Sequence, residues 1–388
     1  MTYDIIIVGG GIQGVATAYE LAKRGAGKIL LLEKTFLTGG STGSCAAGIR
    51  AQFGSPFNVK LMARSLEIFE NMAKELECDN DYLELWQGGY LVLAYSEAEF
   101  EGLKRNVEVQ HTYGLKTNVL SVEEVKKAFP RVNVEGVYGA TYHDRDGHAD
   151  PFHVTFAYAE AGKRLGVEIR EWTPVDTLLT ENGKITGVRL QDGSSVYAER
   201  VLVCAGAWTT SLLKTVGIDL PLWGEKHEIL ITEPWERLLG PMVISFSRGY
   251  YIQQRPHGSF IMGIPPEDPR HWYRPDEFDF SSSIDFLLRM SSEATNVLPF
   301  LKGVNVVRQW AGLYEMTPDH HHAIGPLEDI SGLWVAAGGS GHGFMFGPVM
   351  AEQLSKWMMG EPMDIDLRPL SPDRFKKGAL VIEPAVVG

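Results

Sequence analysis

The residues whose spacing most suggests chemistry are three glycines near the N-terminus, arranged as Gly9-x-Gly11-x-x-Gly14. They follow a β-branched run at 4–8 and precede a helical pattern, so the sequence predicts a strand, a tight turn and a helix. Glycine lets a pyrophosphate approach the backbone N–H groups of such a turn, and the helix N-terminus favours the phosphate charge. A dinucleotide site is therefore expected here.

Glu33 ends the next predicted strand, at the place where a carboxylate can accept hydrogen bonds from both ribose hydroxyls. An acidic group here disfavours a 2′-phosphate, so NADP is not expected. Two further glycine-rich loops, at 40–43 and 338–343, favour FAD over NAD. The second of these runs into a helix expected near 347–358, with Pro348 close to its first turn. Its N-terminus would stabilise negative charge on a reduced flavin.

The elements that must position these loops indicate an α/β dinucleotide fold. Apolar strands are predicted at 201–204 and 333–337, each followed by a helical pattern, so a parallel sheet would be assembled from three distant pieces of the chain. Short β-prone bursts within 226–263, separated by turn residues, predict an antiparallel meander. Long helical patterns at about 58–77 and 283–298 flank the meander.

The predicted architecture is therefore a discontinuous Rossmann-type FAD-binding domain with an inserted antiparallel-sheet substrate domain, which is α/β plus α+β in class. The FAD-binding domain is expected at 1–83, 144–220 and 308–388. The substrate-binding domain is expected at 84–143 and 221–307.

The composition and charge of the chain limit the classes of partner that it is expected to bind. The formal net charge of −13 and the absence of a basic stripe argue against nucleic acid. No apolar run is long enough to span a bilayer, and Met1 leads directly into a strand without a signal-peptide pattern, so a cytoplasmic location is expected. The three cysteines form no CxxC pair, and the run His320–His322 lacks completing carboxylates, so no disulfide or metal site is expected.

Over its whole length the sequence resembles the FAD-dependent amine and amino-acid oxidoreductases of the D-amino-acid oxidase superfamily. A closer similarity is to the FAD-bearing β subunits of archaeal dye-linked L-proline dehydrogenases, with the sarcosine oxidases more distant. The segments that carry these similarities are 4–14, 40–43, 48–53, 147–152, 205–208, 226–227, 241–246, 310–314, 316–319 and 339–344.

The resemblance implies hydride transfer from an amine-bearing carbon to flavin N5, which gives an imine product. It implies that Arg50 anchors the substrate carboxylate, because arginine binds carboxylates through two hydrogen bonds. It also places Tyr251 on the substrate side, to cap the carboxylate or the ring. His227 would sense or accept the amine proton.

Three departures from the relatives narrow this expectation. Gly312 stands where monomeric sarcosine oxidase carries the cysteine that tethers its flavin, so non-covalent FAD is expected. Met345 replaces a second basic anchor. By counting along the strand, Met262 replaces the lysine that activates oxygen over the flavin, and loss of that cation favours an acceptor other than oxygen. The resemblance thus predicts a dehydrogenase that passes electrons to a dye or quinone-like acceptor in vitro.

The resemblance leaves several alternatives open. L-Proline is the favoured substrate, with hydroxyproline or sarcosine also compatible. The other readings are an oxidase of sarcosine, glycine or a D-amino acid, and an electron-relay subunit of a larger complex. Heteromeric relatives imply a second flavoprotein subunit, with FMN at the interface, or else a homo-oligomer. Pro151 stands near the place of a covalent FMN histidine, so a covalent FMN link is not expected.

The predicted FAD contacts come from all three glycine-rich regions and the segments that follow them. They are Gly9, Gly11, Ile12, Gly14, Glu33, Lys34, Gly40, Ser41, Thr42, Gly48, Ile49, Val175, Ala205, Gly206, Trp208, Gly312, Tyr314, Gly339, Gly341, His342, Gly343, Phe344 and Met345.

Overall fold

A computed structural model describes residues 2–266, 272–273 and 275–384. The strands are β1 Thr2–Val8, β2 Ile29–Leu32, β3 Gly48–Ile49, β4 Tyr90–Ala94, β5 Asn118–Leu120, β6 Gly139–His143, β7 Gly147–His148, β8 Glu168–Arg170, β9 Val175–Glu181, β10 Lys184–Leu190, β11 Ser195–Val203, β12 Trp223–Thr232, β13 Met242–Ile244, β14 Tyr251–Gln254, β15 Phe260–Ile264, β16 Trp272–Tyr273, β17 Val306–Met316, β18 Ala323–Pro326 and β19 Leu333–Ala337. The α-helices are α1 Ile12–Lys23, α2 Ser41–Ser44, α3 Pro56–Glu75, α4 Glu97–Thr112, α5 Val122–Ala128, α6 Pro151–Arg164, α7 Thr209–Lys214, α8 Ile284–Val297, α9 Gly343–Met359 and α10 Asp373–Lys377.

The first sheet has the strand order β18-β19-β11-β1-β2-β8, with β10 paired to β11 and β9 paired to β10. Strands β19, β11, β1, β2 and β8 are parallel to one another, and β18 is antiparallel. The central residues of β1, β2, β11 and β19 are buried on both faces of the sheet, which explains the continuous apolar runs in the sequence. The structure thus confirms the predicted α/β sheet built from distant pieces of the chain.

Helix α9 begins earlier than the sequence indicates. It starts at Gly343 rather than near 347, and Pro348 lies inside the helix rather than at its start. A proline in the second turn removes one intrahelical donor, the one that would bond to the carbonyl of residue 344, and the rest of the helix continues past it. The predicted start was therefore wrong by about one turn, and the helix N-terminus lies directly at the glycine-rich loop.

The second sheet has the strand order β16-β12-β15-β14-β13-β4-β6-β5, and β17 pairs along β12. Strands β13, β14 and β15 form the predicted antiparallel meander, but β12 joins beside β15 instead of next to β13. The sheet is also not purely antiparallel, because β13 runs parallel to β4. The amphipathic helix α8 covers one face, where Phe286, Met290 and Val297 are buried.

The pairing of β17 bears on the predicted domain boundaries. The strand is bonded to β12 from Val306 to Met316, so it belongs to the second sheet, and a boundary at 308 divides it. The wider division into two domains stays a prediction. None of the helices in the described ranges is long and apolar enough to cross a membrane.

Candidate active site and cofactor cavity

A cavity of about 570 Å³ lies where the carboxyl ends of β1, β11 and β19 meet the second sheet. Ligands of parallel α/β sheets bind at this edge, where loops leave the strands. Two walls can be distinguished by their chemistry. The dinucleotide wall comprises 9–12, 33–34, 205–206, 208, 339 and 341–345. The amine wall comprises Arg50, Tyr90, His227, Tyr251 and Tyr314.

The first glycine loop has no room for side chains. A Cβ on Gly9, where φ is +117°, would overlap the carbonyl oxygen of Cys204, the residue directly after β11. A Cβ on Gly14 would overlap the Gly9 carbonyl oxygen. The loop therefore packs tightly enough to bring α1 against the sheet and keep its N-terminus open to the cavity.

The Glu33 carboxylate is held in place by hydrogen bonds from the protein backbone. Its Oε2 accepts a hydrogen bond from the Gly10 N–H at 2.7 Å, and its Oε1 accepts one from the Thr35 N–H at 2.9 Å. Each carboxylate oxygen has further lone pairs that can accept ribose hydroxyls. Beside it, the Lys34 ammonium lies 3.3 Å from the centroid of the Trp208 ring.

The second glycine loop forms the short helix α2, which joins both walls. The Thr42 hydroxyl oxygen accepts a hydrogen bond from the Ile12 N–H at 3.1 Å, and the Ser41 hydroxyl donates one to the Leu313 carbonyl at 2.6 Å. A Cβ on Gly312 would come within 2.8 Å of Ser44 Cβ. A tethering cysteine at 312 would therefore need this packing to move.

Arg50 is the buried cation of the amine wall, with 2% of its surface exposed. Its Nη1 donates to the Gln52 carbonyl at 2.6 Å, and its guanidinium lies 4.2 Å from the Phe53 ring centroid. Burial lowers the pKa of Arg50. Burial, together with the nearby Arg50 charge, holds the pKa of His342 well below its usual value, so the neutral ring accepts a hydrogen bond from Arg50 Nη2 at 3.4 Å.

The segment after Arg50 is held by residues far along the chain. Glu383 accepts hydrogen bonds from the Gly54 N–H at 2.7 Å, the Ser55 hydroxyl at 2.6 Å and the Asn58 side chain at 2.9 Å. These donors surround the start of α3, where a carboxylate is favoured by the helix dipole. Glu383 therefore fixes the backbone that leads from Arg50 into α3.

His227 and Tyr314 form a stacked pair on adjacent strands. Their ring centroids are 3.7 Å apart and the planes differ by 12°. His227 Nε2 lies 3.0 Å from Glu225 Oε1, and because a carboxylate only accepts, Nε2 carries the proton in this bond. Nδ1 is then the nitrogen left to accept a proton. Burial raises the pKa of the nearby Tyr251 phenol well above its usual value.

The cavity gathers most of the residues that the sequence singles out. Arg50, His227 and Tyr251 line it together, as do all the predicted FAD contacts except Gly14 and Ile49. Gly14 acts in loop packing, and Ile49 is buried in the core of the first sheet. The sequence did not indicate several further lining side chains, because they carry no motif: Cys45, Tyr90, Ile229, Met242, Ile244, Glu315 and His322.

The predicted position of Met262 over the flavin is wrong. Met262 pairs with Ile252 and Leu230, and all three belong to the apolar core shared with α8. Side chains alternate along a strand, so Tyr251 and its partner Gly263 face the opposite side. The prediction from sequence, made by counting residues along β15, did not take this alternation of faces into account. Among the described residues that line the cavity, the lysines and arginines are Lys34 and Arg50.

The cavity fits FAD. Its glycine loops, oriented carboxylate and helix N-termini match a dinucleotide. Within the described ranges, one group of potential metal ligands has its ligand atoms close enough together to hold an ion: Glu84, Asp150 and His153. The Arg255 guanidinium lies 3.2 Å from the Glu84 carboxylate and 3.7 Å from that of Asp150, so a cation is already present there.

Comparison with known proteins agrees with this site. The family described as FAD dependent oxidoreductase (DAO) matches residues 4–357. L-Proline dehydrogenase from P. horikoshii is 36% identical, with a TM-score of 0.90 over 98% of this chain and 99% of that chain. Sarcosine oxidase subunit beta from Arthrobacter sp. is 28% identical, over 98% of this chain and 93% of that subunit.

A longer relative is covered only in part. Mitochondrial dimethylglycine dehydrogenase from Rattus norvegicus is 28% identical over 96% of this chain, but the chain spans 45% of that protein's length. The family match covers most of the chain, including every segment that lines the cavity. The chain therefore belongs to the FAD dependent oxidoreductase family, and its cofactor is FAD.

Proposed function

We propose that this member of the FAD dependent oxidoreductase family is a dehydrogenase of a secondary amino acid, with L-proline as the favoured substrate. The observation that carries the proposal is the buried Arg50 guanidinium on the same cavity as the FAD loops. The 36% identity to an L-proline dehydrogenase over nearly the whole of both chains supports the choice of substrate.

Arg50 would bind the substrate carboxylate. A guanidinium stays protonated even when burial lowers its pKa, and its attraction for a carboxylate is stronger in a buried site than in water. The Gln52 carbonyl and the Phe53 ring hold the guanidinium in place. The substrate would therefore be fixed at its carboxylate before the reaction begins.

The apolar lining would receive the rest of the substrate. Ile229 of β12 and Met242 and Ile244 of β13 line the cavity, and none of them offers a charged group. The aliphatic carbons of a pyrrolidine ring suit such a surface. Tyr90 and Tyr251 line the same cavity with phenol groups that can donate hydrogen bonds to a carboxylate.

His227 would take the amine proton. An amine must lose its proton before its lone pair can assist the departure of a hydride, and Nδ1 is available while Nε2 is bonded to Glu225. FAD, when bound, supplies the acceptor for the hydride. Among the described lining residues, lysine and arginine side chains come from Lys34 and Arg50, and Lys34 lies on the dinucleotide wall. Apart from the proposed carboxylate anchor Arg50, the amine wall therefore shows no such cation to stabilise reduced oxygen among these residues, and we propose an electron acceptor other than oxygen.

The assembly is part of the proposal. A β subunit of sarcosine oxidase is similar along nearly its whole length, which supports a complex with a second flavoprotein subunit. FMN at such an interface, and the individual FAD contacts along the dinucleotide wall, are likewise proposed.

The test is anaerobic bleaching of the bound flavin by L-proline, hydroxyproline, sarcosine, glycine and D-alanine. We expect fastest bleaching with L-proline, together with dye reduction under argon and little peroxide in air. Strong peroxide production with sarcosine or glycine would instead establish an oxidase. Absence of bleaching by every amino acid, in a protein that retains FAD, would leave an electron-relay subunit.

A further inference from the structure

Glu315 is a partly buried residue whose carboxyl group lines the cavity and is not used by the proposed reaction. It lies on β17, next to Tyr314, and its Oε2 atom is buried without a hydrogen-bond partner. A buried oxygen with no partner costs free energy, so such an atom in a ligand cavity indicates a contact that the ligand completes.

The carboxyl group lies between two glycine loops of the dinucleotide wall. A Cβ built on Gly339 would be 3.4 Å from Glu315 Oε1, and one built on Gly206 would be 3.7 Å from Oε2. Both loops line the same cavity. Neither glycine has a side chain and Glu315 itself lines the cavity, so no side chain of these two residues separates the carboxyl group from a bound cofactor.

The surroundings of Glu315 favour its neutral form. Burial raises the pKa of Glu315 to about 7, and the N–H groups of Gly338 and Gly339 only partly offset this effect. From the loop that follows β11, the Cys204 thiol faces Glu315, and the pKa of this thiol is itself raised by burial and by Glu315. At neutral pH much of the Glu315 population is therefore protonated and can donate a hydrogen bond.

We propose that Glu315 is an FAD-binding residue whose protonated Oε2 donates a hydrogen bond to an oxygen of the bound cofactor, so that FAD is held more weakly as the carboxyl group ionises. FAD carries two phosphates, and a carboxylate beside it would add repulsion as well as remove a donor.

The sign of the pH dependence follows from this bond. The protonated form binds FAD better, so bound FAD favours protonation, and release should accelerate as pH rises above about 7. Linkage to one proton limits the effect to tenfold per pH unit. Between pH 6 and pH 9 we expect the release rate to rise on the order of tenfold or more.

The experiment uses the full-chain holoenzyme without substrate. Bound FAD is exchanged against an excess of radiolabelled FAD at pH 6 to 9, for the wild type and for Glu315→Gln. Glutamine has nearly the same shape, is neutral at every pH and offers N–H donors. We expect its release rate to be nearly independent of pH and close to the wild-type rate at pH 6.

Glu20→Gln is the matched control. Glu20 is another glutamate whose pKa is raised by burial, but it lies on α1 outside the cavity lining and pairs with Arg24. This variant should keep the wild-type pH dependence. A wild-type release rate that does not change with pH, or an unchanged pH dependence in Glu315→Gln, would overturn the proposal.

The inference rests on FAD as the cofactor and not on the amino acid that is oxidised. Because the exchange contains no substrate, its outcome is independent of the L-proline proposal. A chain that bleaches with L-proline can still fail the exchange test, and the reverse also holds.

Discussion

The two walls of the cavity are made in different ways. On the dinucleotide wall, glycines bring backbone N–H groups and helix ends to the ligand, and side chains are largely excluded. On the amine wall, Arg50, His227 and Tyr251 come from separate elements, line the cavity with their side chains, and are proposed to act through them. Backbone recognition tolerates few substitutions, whereas side-chain recognition can change the substrate without changing the fold.

The largest effect should come from the dinucleotide wall. In Gly9→Val the new side chain overlaps the Cys204 carbonyl, so we expect a chain that retains no FAD. Absorbance at flavin wavelengths per mole of protein measures this. Gly25→Ala is the control, since Gly25 has a positive φ of 71° but an added Cβ meets nothing within 4 Å. It should cost about 1–2 kcal/mol of folding free energy and keep FAD.

The next effect should come from the amine wall and leave FAD in place. Arg50→Met removes the proposed carboxylate anchor, and loss of one partner of a buried charge pair costs about 2–5 kcal/mol. We expect kcat/KM for L-proline to fall on the order of 10³-fold. Pyrrolidine, which lacks the carboxylate, should be oxidised equally by both proteins. A parallel loss with pyrrolidine would contradict the anchoring role.

A smaller effect should follow removal of the proton acceptor. For His227→Asn we expect kcat/KM to fall by about 10²-fold at neutral pH, at the lower limit for general-base catalysis. The loss should shrink at high pH, where the amine is already unprotonated. A pH profile of kcat/KM measures this, with flavin content as the control for the loss of stacking on Tyr314. A deficit that is constant across pH would argue for a packing role.

The smallest effect should come from the support behind Arg50. Glu383→Gln keeps the shape but removes the charge at the start of α3, which is worth about 1 kcal/mol. We expect KM for L-proline to rise about fivefold with kcat little changed. Glu361→Gln is a matched control, since this half-exposed carboxylate pairs with Arg24 far from Arg50. Equal effects of the two variants would show that Glu383 does not position Arg50.

The same contrast explains what the sequence could predict. Gly9, Gly11 and Glu33 act through a local strand–turn–helix whose spacing is fixed, so the sequence predicts both the fold and the cofactor. The sequence did not predict the early start of α9, because a proline such as Pro348 usually marks the first turn but is tolerated here in the second. The prediction of Arg50, His227 and Tyr251 as site residues came from the family resemblance, and in the structure all three line the same cavity.

The remaining residues depend on packing between distant elements. Glu315 and Tyr90 belong to no motif, and only the meeting of the two sheets brings them to the cavity. Glu383 reaches α3 across 328 positions of sequence. The position of Met262 was mispredicted for a different reason. An error of one residue along a strand places a side chain on the opposite face of the sheet.

The position of β1 has a consequence for how the chain is made. β1 lies between β2 and β11, and β11 begins 187 residues after β1 ends. At about 5–20 residues per second, the ribosome needs on the order of 10–40 s to supply that neighbour. Meanwhile one edge of the apolar strand is open to wrong pairing. The loop at 339–345 emerges later still, so we expect FAD to be captured only after most of the chain has been synthesised.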